Sequence, residues 1–180
     1  MEEVPEALQR LVRALERANV KYVVVGGVVA VHYGRVRTTQ DLDVVVDAEE
    51  VNSLAVELER EGFEFSRRDL EEAFRERGRV TLYLPGSVLF HVDLKFARDR
   101  LDYEVLKGRV RGELFGVECW VESVEDVVVA KLVYGGAQDE EDVVAILMNK
   151  GISDRMKEKA GEFGVLDRLC GIAEMLGLRC

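Results

Sequence analysis

Apolar residues recur at helical spacing near the start of the chain: Leu8, Leu11, Val12 and Leu15 share one face, and Pro5 stands where a first helical turn tolerates proline. This predicts an amphipathic helix from about Pro5 to Ala18. The period then changes. Tyr22-Val23-Val24-Val25 is a short β-branched run cut off by Gly26-Gly27, the pattern of a buried strand. Val28 to Tyr33 suits a short helix ending at Gly34. After the polar stretch Arg35-Val36-Arg37-Thr38-Thr39-Gln40, a second strand reads Asp41-Leu42-Asp43-Val44-Val45-Val46.

Farther along, Glu49 to Glu61 suits a helix stopped by Gly62, and the charge-balanced stretch Arg67 to Arg79 reads as an exposed helix or loop. Arg79 to Leu84 and Val88 to Phe96 read as two strands joined at Pro85-Gly86. The second alternates: His91, Asp93 and Lys95 point one way, Val92, Leu94 and Phe96 the other. A further hairpin is expected around Phe115-Gly116, ending at Cys119-Trp120-Val121. Ser123-Val124-Glu125-Asp126 has the form of a capping box, and the pattern beyond it is helical. The expectation is an α+β chain, with an αβ domain over residues 1–122 and a small helical subdomain over residues 123–180 packed on it.

Length and charge narrow the function classes. The 180 residues carry 25 Lys+Arg against 35 Asp+Glu, a formal charge of −10, so a nucleic-acid partner has to be held by a local patch. The stretch Lys95 to Arg111 is rich in cations, but Asp99, Asp102 and Glu104 interleave with them, and it reads as a charged solvated face. Cys119, Cys170 and Cys180 lack zinc-ligand spacing and the even count of a disulfide framework, which predicts free thiols. The acidic amino end and the lack of a long apolar run point to a cytoplasmic protein with no membrane partner.

The chemistry concentrates around the second strand. Asp41 and Asp43 are two apart, so their carboxylates project from one face, close enough to share a divalent cation; the competing reading is a solvated strand start. Gly26-Gly27 between a strand and a helix lets phosphate oxygens approach backbone N–H groups, although two glycines alone mark only a turn. Asp93 supplies a third carboxylate, on a sheet face with His91 and Lys95. Three acids on one surface repel one another unless cations sit between them, and the third can also accept a proton. Arg37, Thr39 and Lys131 are candidates for phosphate contacts. The competing readings are a structural ion pair for Arg37, strand initiation for Thr39 and a surface lysine with a buried stem for Lys131.

The Gly26-Gly27 turn, the Asp41-Leu42-Asp43 strand and the later Asp93 together resemble the DNA polymerase β-type nucleotidyltransferase superfamily. Within it, Arg37, Thr39, Asp41 and Asp43 are similar to the R-x-T-x-D-x-D segment of the stand-alone AbiEii-like group of abortive-infection toxins. The resemblance extends through Glu125 to Lys131 and to Asp139 and Asp142, with Gln138 where the family carries a basic residue. It implies a mixed sheet with helices on one face and a nucleotide on the other. It also implies two Mg²⁺ ions, with Mn²⁺ as a substitute, held by Asp41, Asp43 and Asp93. The implied reaction transfers an NMP from an NTP to a hydroxyl on tRNA, protein or a small molecule, with an antitoxin or toxin as partner. Two alternatives remain open: a catalytically silent binding module of a toxin–antitoxin type system, and a metal phosphohydrolase using His32 and the His91-Val92-Asp93 cluster.

Overall fold

The computed structural model describes residues 3–87 and 89–180; Val88, where the sequence pattern begins the second strand of its hairpin, lies outside the described residues, as do Met1 and Glu2. The elements run α1 (Glu3–Arg17), β1 (Lys21–Val25), α2 (Gly27–His32), β2 (Asp41–Asp47), α3 (Asn52–Arg60), α4 (Arg67–Glu76), β3 (Arg79–Tyr83), β4 (His91–Phe96), α5 (Arg100–Lys107), β5 (Val110–Leu114), β6 (Val117–Val121), α6 (Val124–Tyr134), α7 (Ala137–Lys150), α8 (Asp154–Glu162) and α9 (Leu166–Met175). The strands form one six-stranded mixed sheet in the order β3-β4-β2-β1-β6-β5. β2 pairs in parallel with β4 and antiparallel with β1, and β1 pairs in parallel with β6.

Alternation along each strand sorts the side chains into two layers. Leu42, Val44 and Val46 of β2, with Val92, Leu94 and Phe96 of β4, join the main core with Leu8, Leu11 and Leu15 of α1 and Leu54 and Leu58 of α3. Each fully buried leucine of this layer is worth roughly 1.5–3 kcal/mol over exposure. Residues of opposite parity face the other side. There α5 packs Leu101, Val105 and Leu106 onto Val23, Val45 and Ala97, with Ala130 of α6 alongside. The charge pattern of Lys95 to Arg111 hides this helix: its apolar residues are few, and its start is fixed by a capping box in which Asp99 accepts the Asp102 N–H at 3.0 Å. This second, incomplete layer leaves the part of the sheet near Asp41, Asp43 and Asp93 uncovered.

α6 begins where Ser123 accepts the Asp126 N–H at 3.1 Å. The main core runs without interruption from Leu8 of α1 to Ile172 of α9. The cysteines depart from expectation: Cys170 and Cys180 form a disulfide, with Cα atoms 5.3 Å apart, and Cys119 alone is free and buried. The reason lies in the chain reversal after α9. The Leu178 N–H donates to the Ala173 carbonyl at 2.9 Å, folding the last residues back on the helix, a contact that cysteine spacing does not reveal. Among the described residues, no helix is long and apolar enough to cross a membrane.

Candidate active site

The parallel register of β2 with β4 sets Asp41 opposite His91 and Asp43 opposite Asp93. Acids 50 residues apart in sequence therefore share one step of the sheet. One ligand atom each from Asp41, His91 and Asp93 lie within 4.8 Å of one another. Short polar neighbours orient the carboxylates: Thr39 Oγ1 donates to Asp41 Oδ1 at 2.9 Å and Thr81 Oγ1 to Asp93 Oδ1 at 2.8 Å. His91 Nε2 lies 3.5 Å from Asp93 Oδ2. Thr39 thus holds Asp41.

Burial pushes Asp43 up to about 6, and the negative charges of Asp41 and Asp93 add to the shift; Arg79 and Lys131 oppose it. A carboxylate so placed gains from any cation brought beside it. The group close enough to share one ion is two carboxylates and an imidazole, from Asp41, Asp93 and His91; Asp43, on the same sheet face, stands outside it, and its hard oxygen, like theirs, suits Mg²⁺ or Mn²⁺.

The acids form part of the wall of a cleft of about 310 Å³ bounded by Gly26 and Gly27, by Val45 and Lys95 of the sheet, by Leu101 and Val105 of α5, and by Ala130, Lys131 and Tyr134 of α6. Gly26 has φ 77° and ψ −140°, a conformation open to glycine and strained for other residues. A Cβ there would also stand 2.8 Å from Asp43 Oδ2, and a Cβ on Gly27 would stand 2.6 Å from Arg37 Nη2. The two glycines are thus fixed by the proximity of Asp43 and Arg37. Gly26→Ala is expected to cost about 1–3 kcal/mol of stability and to displace the Asp43 carboxylate; urea unfolding compared with a Gly86→Ala control, whose Cβ meets nothing within 4 Å but shares the positive φ, separates crowding from backbone strain.

Arg37 and Lys131 reach the same cleft but are anchored from behind. Arg37 holds Asp142 of α7 through two bonds, Nε to Oδ1 and Nη2 to Oδ2, each 3.1 Å. Lys131 Nζ lies 2.9 Å from both Asp139 Oδ1 and Asp142 Oδ2, and Arg35 Nε lies 3.2 Å from Asp142 Oδ1. Burial works against the Lys131 charge, but the two aspartates outweigh it and lift the ammonium above its usual range. Of the paired readings for Arg37, the structure contains the ion pair, made so that the guanidinium still borders the cleft.

Residues 1–160 match the family described as "Nucleotidyltransferase of unknown function (DUF6036)". The chain belongs to that family. No curated protein matches the sequence. Solved nucleotidyltransferase-like structures share the fold of this family member. ANT(2")-Ia in complex with adenylyl-2"-tobramycin is 15% identical, with 91% of this chain and 98% of that one covered and a TM-score of 0.62. An antigenic nucleotidyltransferase-like protein from Paracoccidioides brasiliensis is 16% identical, with 97% and 94% covered and a TM-score of 0.58. The lincomycin-bound lincosamide antibiotic adenylyltransferase LnuA is 17% identical, with 79% and 94% covered and a TM-score of 0.52. At these identities the likeness is one of fold.

In this nucleotidyltransferase-family chain, the cleft brings together Asp41, Asp43, Asp93, Gly26, Gly27, Arg37 and Lys131, while Thr39 stands behind Asp41. His32 is not brought to the cleft; its ring packs near Tyr33 at 5.0 Å, and burial, with Lys150 nearby, lowers its pKa. Pattern reading passes over Glu122, which follows β6, is 2% exposed and borders the cleft. Its carboxylate accepts the Gly26 N–H at 3.4 Å. Burial, reinforced by Asp126 and Asp43, pushes Glu122 up to about 8, so it is mostly neutral at pH 7. Its one sequence signal is a lone acid continuing the alternation of Trp120 and Val121.

Proposed function

We propose that this protein is a divalent-metal-dependent nucleotidyltransferase that moves an NMP from an NTP to an acceptor hydroxyl. The acceptor oxygen bonds to the α-phosphorus, the bond from that phosphorus to the bridging oxygen of the β-phosphate breaks, and pyrophosphate leaves with the bond's electron pair. The observation that carries this reading is the parallel β2–β4 register, which sets Asp43 opposite Asp93, with Asp41 beside them, on the wall of an open cleft that begins at Gly26-Gly27.

Asp41, Asp43 and Asp93 would hold two Mg²⁺ ions, with Mn²⁺ as a substitute. Bound metal there supplies charge neutralisation for the phosphates and a lower pKa for the acceptor hydroxyl. The chain's own groups do the rest. Gly26 and Gly27, whose missing Cβ atoms let Asp43 and Arg37 close onto the backbone, would mark the end of the cleft that takes the triphosphate, and Arg37 and Lys131, already fixed by Asp142, offer positive charge without reorganisation. Asp93 takes the proton released by the acceptor. In this reading the chain divides after residue 122, and the helices of 123–180 contribute Lys131 to the cleft, with Asp139 and Asp142 anchoring it from behind. The Arg37-to-Asp43 segment supports placement in the AbiEii-like group, with tRNA, protein or a small hydroxylated molecule as acceptor and an antitoxin or toxin as partner.

The test is transfer of label from each α-phosphate-labelled NTP, in Mg²⁺, to bulk tRNA, to protein and to hydroxylated antibiotics, together with intact-mass spectrometry of the protein itself. The expected result is an NMP adduct on one acceptor class, abolished by EDTA and restored by Mg²⁺ or Mn²⁺. NTP binding with no adduct on any acceptor would instead favour a silent binding module, and phosphate release from simple esters a phosphohydrolase.

A further inference from the structure

The antiparallel β3–β4 register continues the cleft surface past the acids. Thr81 stands opposite Asp93, and two pairs farther along Arg79 stands opposite Lys95. Arg79, Thr81 and Tyr83 point to the cleft side, because Val80 and Leu82 between them enter the main core. Side chains two apart on a strand are separated by about 6.6 Å and neighbouring strands by about 4.8 Å. Two cationic residues therefore stand side by side on the sheet, two residues beyond the third acid.

Lys95 is fixed but not exhausted. Its Nζ donates to Asp102 Oδ1 at 2.9 Å, while Asp102 Oδ2 accepts the Arg98 N–H at 2.9 Å, so the aspartate is fully engaged and the ammonium keeps further donors. Arg79 is exposed, borders the cleft and acts electrostatically on Asp43. Among the described residues, no carboxylate lies within the 4.0 Å of an ion pair from its guanidinium. With metal-free acids Arg79 offsets their repulsion. With divalent cations on the acids, that compensation is no longer required, and Arg79 and Lys95 become a site in excess of positive charge.

The sheet order decides what reaches it. Gly26-Gly27 follows β1, whereas Arg79 lies on β3, three strand spacings or about 14 Å away, with Asp93 between them. A triphosphate at the glycine end leaves the β3–β4 end to the acceptor. We propose that the acceptor carries a phosphate group close to its reacting hydroxyl, bound by Arg79 and Lys95 beyond Asp93. A phosphate monoester matches two adjacent cations with nearly two negative charges and three terminal oxygens, where a carboxylate brings one charge and two oxygens. A polycationic acceptor would be repelled from the same place. The inference rests on the nucleotidyl-transfer reading and names its substrate class.

Calorimetric titration of the full chain separates the two ideas: a non-hydrolysable NTP analogue with Mg²⁺ first, then inorganic phosphate on the loaded protein. The analogue is expected to bind, and phosphate then to saturate a site weakened at least about tenfold in Arg79→Gln and in Lys95→Gln, the loss expected for one charge-assisted hydrogen bond. Lys107→Gln, an exposed cation on α5, leaves it unchanged. Acetate is expected to bind at least about tenfold more weakly than phosphate. Phosphate binding that Arg79→Gln leaves intact, or acetate binding equal to phosphate, overturns the inference and leaves nucleotidyl transfer standing. Failure of the analogue itself to bind removes both.

Discussion

The Asp43→Asn protein is expected to be more stable than the wild type without metal and at least about 10²-fold less active with it, the scale on which loss of one charge-stabilising group is felt in a transition state. The two effects have one origin. Asp43 is pushed up to about 6 from 3.8 by burial and by the charges of Asp41 and Asp93. Between those values the folded chain binds more protons than the unfolded one, so this group's contribution lowers stability as pH rises from about 4 to 6, and the full cost persists above 6. A two-unit shift corresponds to about 3 kcal/mol, and partial solvent access reduces what asparagine recovers to about 1–3 kcal/mol at pH 7. Thermal unfolding without metal measures the gain. Adding Mg²⁺ reverses the order: ligand binding to the folded state raises the wild type's Tm, and the variant, with one anionic ligand fewer, responds less. Equal Mg²⁺ responses in the two proteins would separate Asp43 from metal binding.

Much of the site's framework was legible because it is written locally. The β-branched run to Val25, the glycine pair, the helix to His32 and the strand from Asp41 follow from periodicity and from glycine, and the alternation of His91, Asp93 and Lys95 sets all three on one face. That Asp43 and Asp93 meet was expected from the family resemblance, since strand order and register are not local properties. What stayed hidden depends on partners far away in sequence. Arg37 and Asp142 are 105 residues apart, and nothing in either neighbourhood marks the pair. Glu122 looks like a strand-end acid until the sheet packs it beneath Gly26. Arg79 looks like an exposed strand start until β3 aligns it with Lys95. The helix α5 escapes periodicity because its buried face rests on the three residues Leu101, Val105 and Leu106, and the Cys170–Cys180 bond because a tight chain reversal makes it.

Asp142→Ala is expected to destabilise the fold by about 3–5 kcal/mol, the cost of removing one partner from a buried ionic cluster. Asp142 is 0% exposed and is the common anion of Arg35, Arg37 and Lys131. Two of these cations keep a second partner, Arg35 with Glu141 at 2.5 Å and Lys131 with Asp139 at 2.9 Å. Among the described residues Arg37 has no second carboxylate, so the loss falls chiefly on it. A double-mutant cycle with Arg37→Ala measures the share directly. The double variant is expected to be less destabilised than the sum of the singles by about 1–3 kcal/mol, since removing both charges removes the unpaired one. Additivity within about 0.5 kcal/mol would mean that Asp142 does not hold Arg37. Asp142→Asn, which keeps the shape and one acceptor, is expected to cost less than alanine and to remain folded, so its nucleotide affinity can be read. That affinity should fall because Arg37 borders the cleft with its guanidinium against Gly27, a place where a Cβ would stand 2.6 Å from Nη2. A side chain held that closely presents its charge only while its anchor is intact, so under the proposed nucleotidyl transfer α7, remote from the acids in sequence, would help prepare the cleft for phosphate.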